Sequence, residues 1–192
     1  MGLTATGLGP ADQAIVRIMA PEIIRALRSA SEKIREGDEY SKRWFGDSSA
    51  LWINCLRIKL NRMASVINLQ SIDIHGSPLN ERNDDWFASV YRRADRRRDY
   101  TENMGQRGFI TLSQGQDFNI SLELKWNNAP NYRVGSILDS KFQTLVHELS
   151  HLILNTRDEV YGSIRCRGLA LTNSRLAKIT ADNWGYFVEE YR

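Results

Sequence analysis

The sequence is poor in the residues that mark a disulfide-stapled or membrane-spanning protein. Its 192 residues include only two cysteines and four prolines, and no apolar run approaches the ~20 residues of a membrane span. The cysteines, Cys55 and Cys166, lie far apart and lack a metal-ligand spacing such as C-x-x-C. We therefore expect two free thiols, although the sequence leaves a bridge between them open.

A signal peptide is also missing from the beginning of the sequence, where no basic segment precedes an apolar core. We therefore expect a chain that is made in the cytoplasm. If it leaves the cell, we expect it to use a specialised secretion route.

Charge of one sign does not dominate, because 26 basic residues face 23 acidic ones and the net charge is +3. This balance does not require a polyanionic partner, so we expect no nucleic acid. The one basic run, residues 92–98, is interpreted as a solvated helix face. The alternative, a phosphate-binding patch, would give binding that depends steeply on salt.

The composition is that of an ordinary globular protein, with 42% hydrophobic and 26% charged residues. No Pro/Ser-rich linker or internal repeat divides the chain, so we expect one domain over residues 1–192. Hydrophobic periodicity predicts helices, then a small strand region, then helices, which indicates an α+β fold.

The individual elements follow from spacing and turn signals. Pro21 is expected to split the first helical region into two pieces, and Asp47 or Ser48 to cap the next helix. Residues 126–135 are expected to form a loop. The predicted helices cover residues 12–36, 52–67, 84–98 and a segment starting near 140, and the predicted strands cover 71–75, 109–112 and 118–124.

The helix that starts near Ser140 carries the chemistry. It contains the pattern H-E-x-x-H at His147, Glu148 and His151. Histidines four residues apart lie one turn above each other on a helix and can bind one ion, and imidazole pairs suit zinc. Glu148, beside the first ligand, is placed to take a proton from water. The pattern therefore predicts a zinc site for amide hydrolysis.

A catalytic zinc normally takes a third protein ligand and leaves the fourth position open. No histidine follows His151, which excludes a three-histidine arrangement of the H-E-x-x-H-x-x-G-x-x-H type. The downstream carboxylates remain as candidates: Asp158, Glu159, Asp182, Glu189 and Glu190.

The sequence resembles the aspzincin metallopeptidases, a family that includes deuterolysins and the fungal peptidyl-Lys metalloendopeptidases. Residues 155–162, N-T-R-D-E-V-Y-G, are similar to the G-T-x-D-x-x-Y-G turn of that family, with Asn155 in place of the first glycine. Residues 181–187 are similar to its A-D-N-Y-x-x-F segment. The likeness is specific over residues 118–190.

This resemblance implies a zincin-like domain, mostly helical with a small antiparallel or mixed sheet and an active-site helix that bears H-E-x-x-H. It makes Asp158 the third zinc ligand and gives Tyr161 the role of donating to the oxyanion. The link from His151 to Asp158 is shorter than in the secreted fungal enzymes, so Glu159 stays open as a competing ligand.

The resemblance also implies a substrate pocket. Asp182 matches the first of two acids that line it in the peptidyl-Lys enzymes, whereas Gly185 stands where the second acid lies. The glycine is expected to enlarge the pocket, and Trp184 to form an apolar or cation–π wall. A mild basic or mixed preference after the scissile bond follows, although Asp182 could instead brace the last helix.

The expected function is zinc-dependent endopeptidase activity on protein or peptide substrates, with Glu148 as general base. Three alternatives stay open: a toxin or effector protease, a processing protease with one target, and a non-catalytic module stabilised by zinc. The sequence identifies no inhibitor or immunity partner.

Overall fold

The computed structural model describes residues 2–76, 87–90, 118–133, 135 and 139–192. In chain order the elements are β1 (Gly2–Thr6), α1 (Pro10–Lys33), α2 (Glu39–Phe45), α3 (Ala50–Leu69), β2 (Ser71–Gly76), β3 (Ala88–Val90), β4 (Phe118–Leu122), α4 (Leu124–Asn128), α5 (Lys141–Leu154), α6 (Ser163–Thr172), α7 (Ser174–Ala177) and α8 (Ala181–Glu189). Helices dominate, as predicted. None of the helices in these ranges combines the length and apolar character needed to cross a membrane.

The sheet is small and mixed. Its strand order is β1-β2-β4-β3, with β2 parallel to both β1 and β4, and β3 antiparallel to β4. Strand alternation puts Leu3, Ile72, Ile74 and Ile120 on one face, where they join the core. The mixed sheet agrees with the predicted one, and β3 forms its edge among the described residues.

Helix α1 differs from the prediction, because Pro21 lies inside one continuous helix instead of dividing two. Its buried residues keep helical spacing from Val16 and Met19 before the proline to Ile23 and Leu27 after it. An internal proline costs a helix about 3 kcal/mol. Burying four large apolar side chains at about 1.5–3 kcal/mol each outweighs that cost.

Helix α3 confirms the predicted helix over residues 52–67, but its cap is Ser49 instead of Asp47 or Ser48. The Ser49 side chain accepts from the Trp52 backbone N–H at 3.4 Å, and Asp47 accepts from the Ser49 N–H at 2.8 Å. The predicted capping residue thus supports the actual cap from outside the helix.

The segments between residues 84 and 135 differ in part from their predictions. Residues 88–90 form a strand paired with β4, not part of a helix over 84–98, because pairing with the neighbouring strand overrides a short helical pattern. The start of the predicted loop is helix α4. The rest of the predicted helix, the strand over 109–112 and the basic run over 92–98 lie outside the described residues.

Helices α5 and α8 pack closely at Gly185. A Cβ there would lie 2.8 Å from the Gln143 carbonyl oxygen and 2.9 Å from its Cγ. Only glycine therefore lets the two helices approach this far. The same core contains Cys166, which is buried, whereas Cys55 is half-buried, and both are free thiols as expected.

Candidate metal centre

Helix α5 is bounded by a capping residue at each end. Ser140 caps its N-terminus by accepting from the Gln143 backbone N–H at 3.0 Å. Asn155 ends it in the left-handed conformation, with φ 59° and ψ 39°, which asparagine tolerates better than most residues. His147 and His151 lie one turn apart on this helix, each 8% exposed.

The Nδ1 atom of each imidazole lies beside a hydrogen-bond acceptor. His147 Nδ1 lies 2.6 Å from Asp182 Oδ1, and His151 Nδ1 lies 2.9 Å from the Thr156 carbonyl oxygen. A carbonyl and an ionised carboxylate only accept, so Nδ1 of each ring is the protonated nitrogen. In the neutral imidazoles both Nε2 atoms therefore carry lone pairs.

These lone pairs converge with a carboxylate. The two Nε2 atoms are 3.0 Å apart, and Asp158 Oδ1 lies 3.1 Å from each. A tetrahedral ion with bonds of about 2.0–2.1 Å separates its ligand atoms by about 3.3 Å. The three atoms thus form a triangle of nearly the size that zinc requires, and two imidazoles with one carboxylate are a zinc-type ligand set.

The electrostatics agree with a cation at this point. Burial alone would lower the pKa of His147, but its hydrogen bonds to Asp158 and Asp182 raise that pKa well above the ordinary value. Burial would raise the pKa of Asp158, but both histidines hold it well below its usual range. The surroundings therefore favour positive charge between these side chains, as a proton or as a metal ion.

Glu148 projects from the same helix into the cleft. It is 4% exposed, and its Oε1 lies 3.9 Å from His147 Nε2. Burial raises the pKa of this carboxyl, although the neighbouring histidines act in the opposite direction. A carboxylate whose pKa is raised is a stronger base than one in water.

The third corner of the triangle, Asp158 Oδ1, comes from the turn between α5 and α6. The Arg157 N–H donates to the Ile179 carbonyl oxygen at 2.7 Å, and the Ala181 N–H donates to the Arg157 carbonyl oxygen at 2.9 Å. These two backbone hydrogen bonds hold Arg157 to the segment that leads into α8. Asp158 then points to the histidines, whereas Glu159 is exposed and lies outside the group. Of the two acids, Asp158 is the one that lies in this group.

Tyr161 lies three residues further along this turn. It is 58% exposed, and its ring lies parallel to that of His147 with centroids 6.3 Å apart. Partial burial and the neighbouring Asp158 raise the pKa of Tyr161 to about 12. Its hydroxyl is therefore protonated at neutral pH and can donate a hydrogen bond.

These side chains line one cleft of about 810 Å³. Strand β3, the last strand of the sheet among the described residues, forms one wall of this cleft. The cleft is lined by Phe87, Ala88, Ser89, Val90, Lys125, Asp139, Gln143, Thr144, His147, Glu148, His151, Thr156, Arg157, Asp158, Tyr161 and Asp182.

Of the three residues predicted to contact substrate, Asp182, Trp184 and Gly185, only the first is among the residues that line the cleft. Asp182 lines the cleft but is 4% exposed. Trp184 is fully buried beside Phe45 and donates to the Lys178 carbonyl at 3.0 Å, so its indole faces the core. The space beside Gly185 is filled by Gln143. Trp184 therefore forms no wall of the cleft, and Gly185 does not enlarge it, contrary to the prediction.

Two contacts were not foreseen from the sequence. Thr156 orients His151 through its carbonyl, and its hydroxyl lies 2.7 Å from the Ser150 hydroxyl. Gln143 donates to Asp182 at 3.0 Å across 39 residues of sequence. The position of Thr156 in the turn motif was a usable signal, whereas no spacing rule predicts the Gln143 contact.

Comparisons with known proteins bear on the family and the fold. The aspzincin family model, described as lysine-specific metallo-endopeptidase, matches residues 30–189. The solved structure of a zinc peptidase from Grifola frondosa matches with a TM-score of 0.67, over 95% of this chain and 97% of that one. The two sequences are 21% identical, so this likeness establishes the fold. No curated protein matches the chain.

Proposed function

Because the chain belongs to the aspzincin family and is a zinc metalloendopeptidase, we propose that His147, His151 and Asp158 hold its zinc. The observation that carries this proposal is the convergence of three lone-pair atoms within 3.0–3.1 Å of one another. When bound, zinc supplies a Lewis acid that polarises a carbonyl and makes a water molecule easier to ionise. Its substrates are proteins or peptides.

Glu148 is the proposed general base. Its carboxylate is held in the cleft beside His147 and takes a proton from the attacking water, then returns it to the leaving amine. The role needs a carboxylate in the cleft that is not itself a metal ligand. Glu148 meets this condition, because it lies outside the ligand group. A purely structural zinc site would gain nothing from such a base.

Tyr161 is the proposed donor to the carbonyl oxygen of the scissile bond. Negative charge develops on that oxygen as water attacks, and a preorganised hydroxyl stabilises it. The hydroxyl is protonated at neutral pH and the ring lies beside His147. Support thus comes from both protonation and position.

Strand β3 is the proposed docking edge for the substrate backbone. It lines the cleft, and it is the last strand of the sheet among the described residues. An extended peptide can add to such an edge through backbone hydrogen bonds. This mode suits an endopeptidase, because it binds a segment by its main chain and needs no free terminus.

We further propose that residues 1–192 act as one domain. The hydrophobic core runs from Leu3 in β1 to Val188 in α8, so both ends of the chain contribute to it. Delivery as a toxin or effector, and a single dedicated target, stay predictions from the sequence alone.

The test combines metal analysis with a peptide-library digest read by mass spectrometry. We expect about one zinc per chain, cleavage within peptides, and loss of both zinc and cleavage in His151→Ala. A His75→Ala variant is the matched control, because His75 lies on β2 and does not belong to the ligand group. Undiminished zinc binding in His151→Ala would contradict the proposed ligand set.

A further inference from the structure

Asp182 lies where three segments meet. It belongs to the first turn of α8, and its Oδ1 lies 2.6 Å from His147 Nδ1 and 3.0 Å from Gln143 Nε2, both on α5. Its Oδ2 accepts from the Gly162 backbone N–H at 2.7 Å, at the end of the turn that bears Asp158 and Tyr161. One carboxylate thus bonds both regions that supply the proposed ligands.

The chemistry of these contacts requires an acceptor on both oxygens. The Gly162 N–H can only donate a hydrogen bond, and the same is true of the Gln143 amide nitrogen. His147 donates as well when its Nε2 serves as a metal ligand. An ionised carboxylate satisfies all three donors, and an amide of the same size cannot, because its NH₂ group would face a donor on one side.

Packing explains why the carboxylate stays in this position. Asp182 is 4% exposed, and the neighbouring Gln143 fills the space beside Gly185. The close approach of α5 and α8 at that glycine brings Gln143 within reach of Asp182. The position of the acid is therefore fixed by the contact between the two helices.

We infer that Asp182 is a positioning residue that locks the metal-binding tautomer of His147 and ties the Asp158–Tyr161 turn to the metal helix. This inference rests on the proposed zinc site. Because both oxygens are engaged, Asp182 does not serve as the anchor for a basic substrate side chain. Any preference for basic residues after the scissile bond arises from other groups.

The test measures the affinity of Asp182→Asn for zinc by competition with a chelator. The expected loss is about 10–100-fold, as for other partners of ligating histidines. The amide can accept from His147 or from Gly162, but not from both. The visible spectrum of the Co²⁺-substituted variant is expected to change as well, which a purely structural role would not produce. Gln143→Ala is the control, with a smaller loss, because it removes one donor and leaves the bonds to His147 and Gly162.

Parallel measurements separate the ways this inference can fail. Lost zinc in His151→Ala with unchanged zinc affinity and Co²⁺ spectrum in Asp182→Asn would overturn the positioning role alone. Unchanged affinity in both variants would overturn the zinc site itself. A library digest in which Asp182→Asn keeps its zinc affinity but loses a basic preference would assign the acid to substrate instead.

A second variant covers the case in which Asp182→Asn does not fold. Asp182→Glu keeps a carboxylate but moves it by one methylene, so its bonds to His147 and Gly162 cannot both keep their present lengths. A thermal melt of the metal-free protein checks the fold, and zinc affinity is again expected to fall. Parental affinity in a folded Asp182→Glu variant would contradict the inference.

Discussion

The proposed metal centre draws on two regions that differ in how they are held. The helical region, α5, buries His147, Glu148 and His151 against the core. The turn region presents Asp158 and Tyr161 to solvent, and the Asp158 side chain is 39% exposed. Packing fixes the first region, whereas a few backbone hydrogen bonds and Asp182 fix the second. Substitutions should therefore affect the two regions differently.

The largest effect is expected in the helical region, from Glu148→Gln. The amide keeps the size of the side chain but cannot take the proton, so kcat should fall by about 10²–10⁴. Zinc content and melting temperature should stay near the parent values, because Glu148 lies outside the ligand group. Peptidase assays with metal analysis check this, and a variant with parental kcat would remove Glu148 from its role.

The corresponding test of the turn region is Tyr161→Phe. Loss of one donor to the developing oxyanion should lower kcat by about 10²–10³ with little change in zinc affinity. Ile164→Ala is a matched control, because Ile164 is also exposed at the start of α6 and does not line the cleft. Equal activity in Tyr161→Phe and the parent would confine catalysis to the helical region.

A third test concerns the packing that supports the helical region. Gly185→Ala places a Cβ 2.8 Å from the Gln143 carbonyl oxygen, and such overpacking should destabilise the fold by about 1–3 kcal/mol. Gly168→Ala on α6 meets no atom within 4 Å and should instead stabilise by about 0.4–1 kcal/mol. Denaturant melts compare the two, and equal effects would contradict the close contact of α5 and α8.

The smallest expected effect concerns Glu189, the last residue of α8. Burial raises the pKa of this carboxyl despite its bonds to Arg133 and Ser140. Its Oε2 finds no hydrogen-bond partner among the described residues. The proton is therefore bound more tightly in the folded state than in the unfolded chain. Its contribution to stability is present at low pH and is lost as pH rises through the folded-state pKa.

Glu189→Gln should accordingly gain stability relative to the parent as pH rises from below the usual glutamate range towards neutrality. Unfolding free energies of both proteins, measured across that interval, check the sign. Other groups titrate in both proteins, so the difference isolates this carboxyl. A difference that does not vary with pH would mean that Glu189 is not perturbed.

Local signals allowed much of the helical region to be predicted from the sequence. The Ser140 cap, the apolar spacing and the two histidines four residues apart all act within one or two turns, and the helix appears where they indicate. Asp158 came from the turn motif, and the geometry places it with the histidines. The fold class followed from the order of the elements.

The features that the sequence did not predict arise from contacts between distant segments. Pro21 did not break α1, because burial on both sides of it outweighs the lost hydrogen bond. Residues 88–90 pair with β4, so their strand conformation depends on a partner at residues 118–122. The engagement of Asp182 with His147 depends on how α8 packs on α5, which no periodicity within either helix specifies.

The two free cysteines provide a reporter of unfolding. Cys55 is half-buried, whereas Cys166 is fully buried and its pKa is raised by that burial. A thiol-alkylating reagent should therefore label Cys55 in the native protein and reach Cys166 only when the surrounding helices open. The labelling rate of Cys166, with and without added zinc, then measures how far metal binding slows that opening.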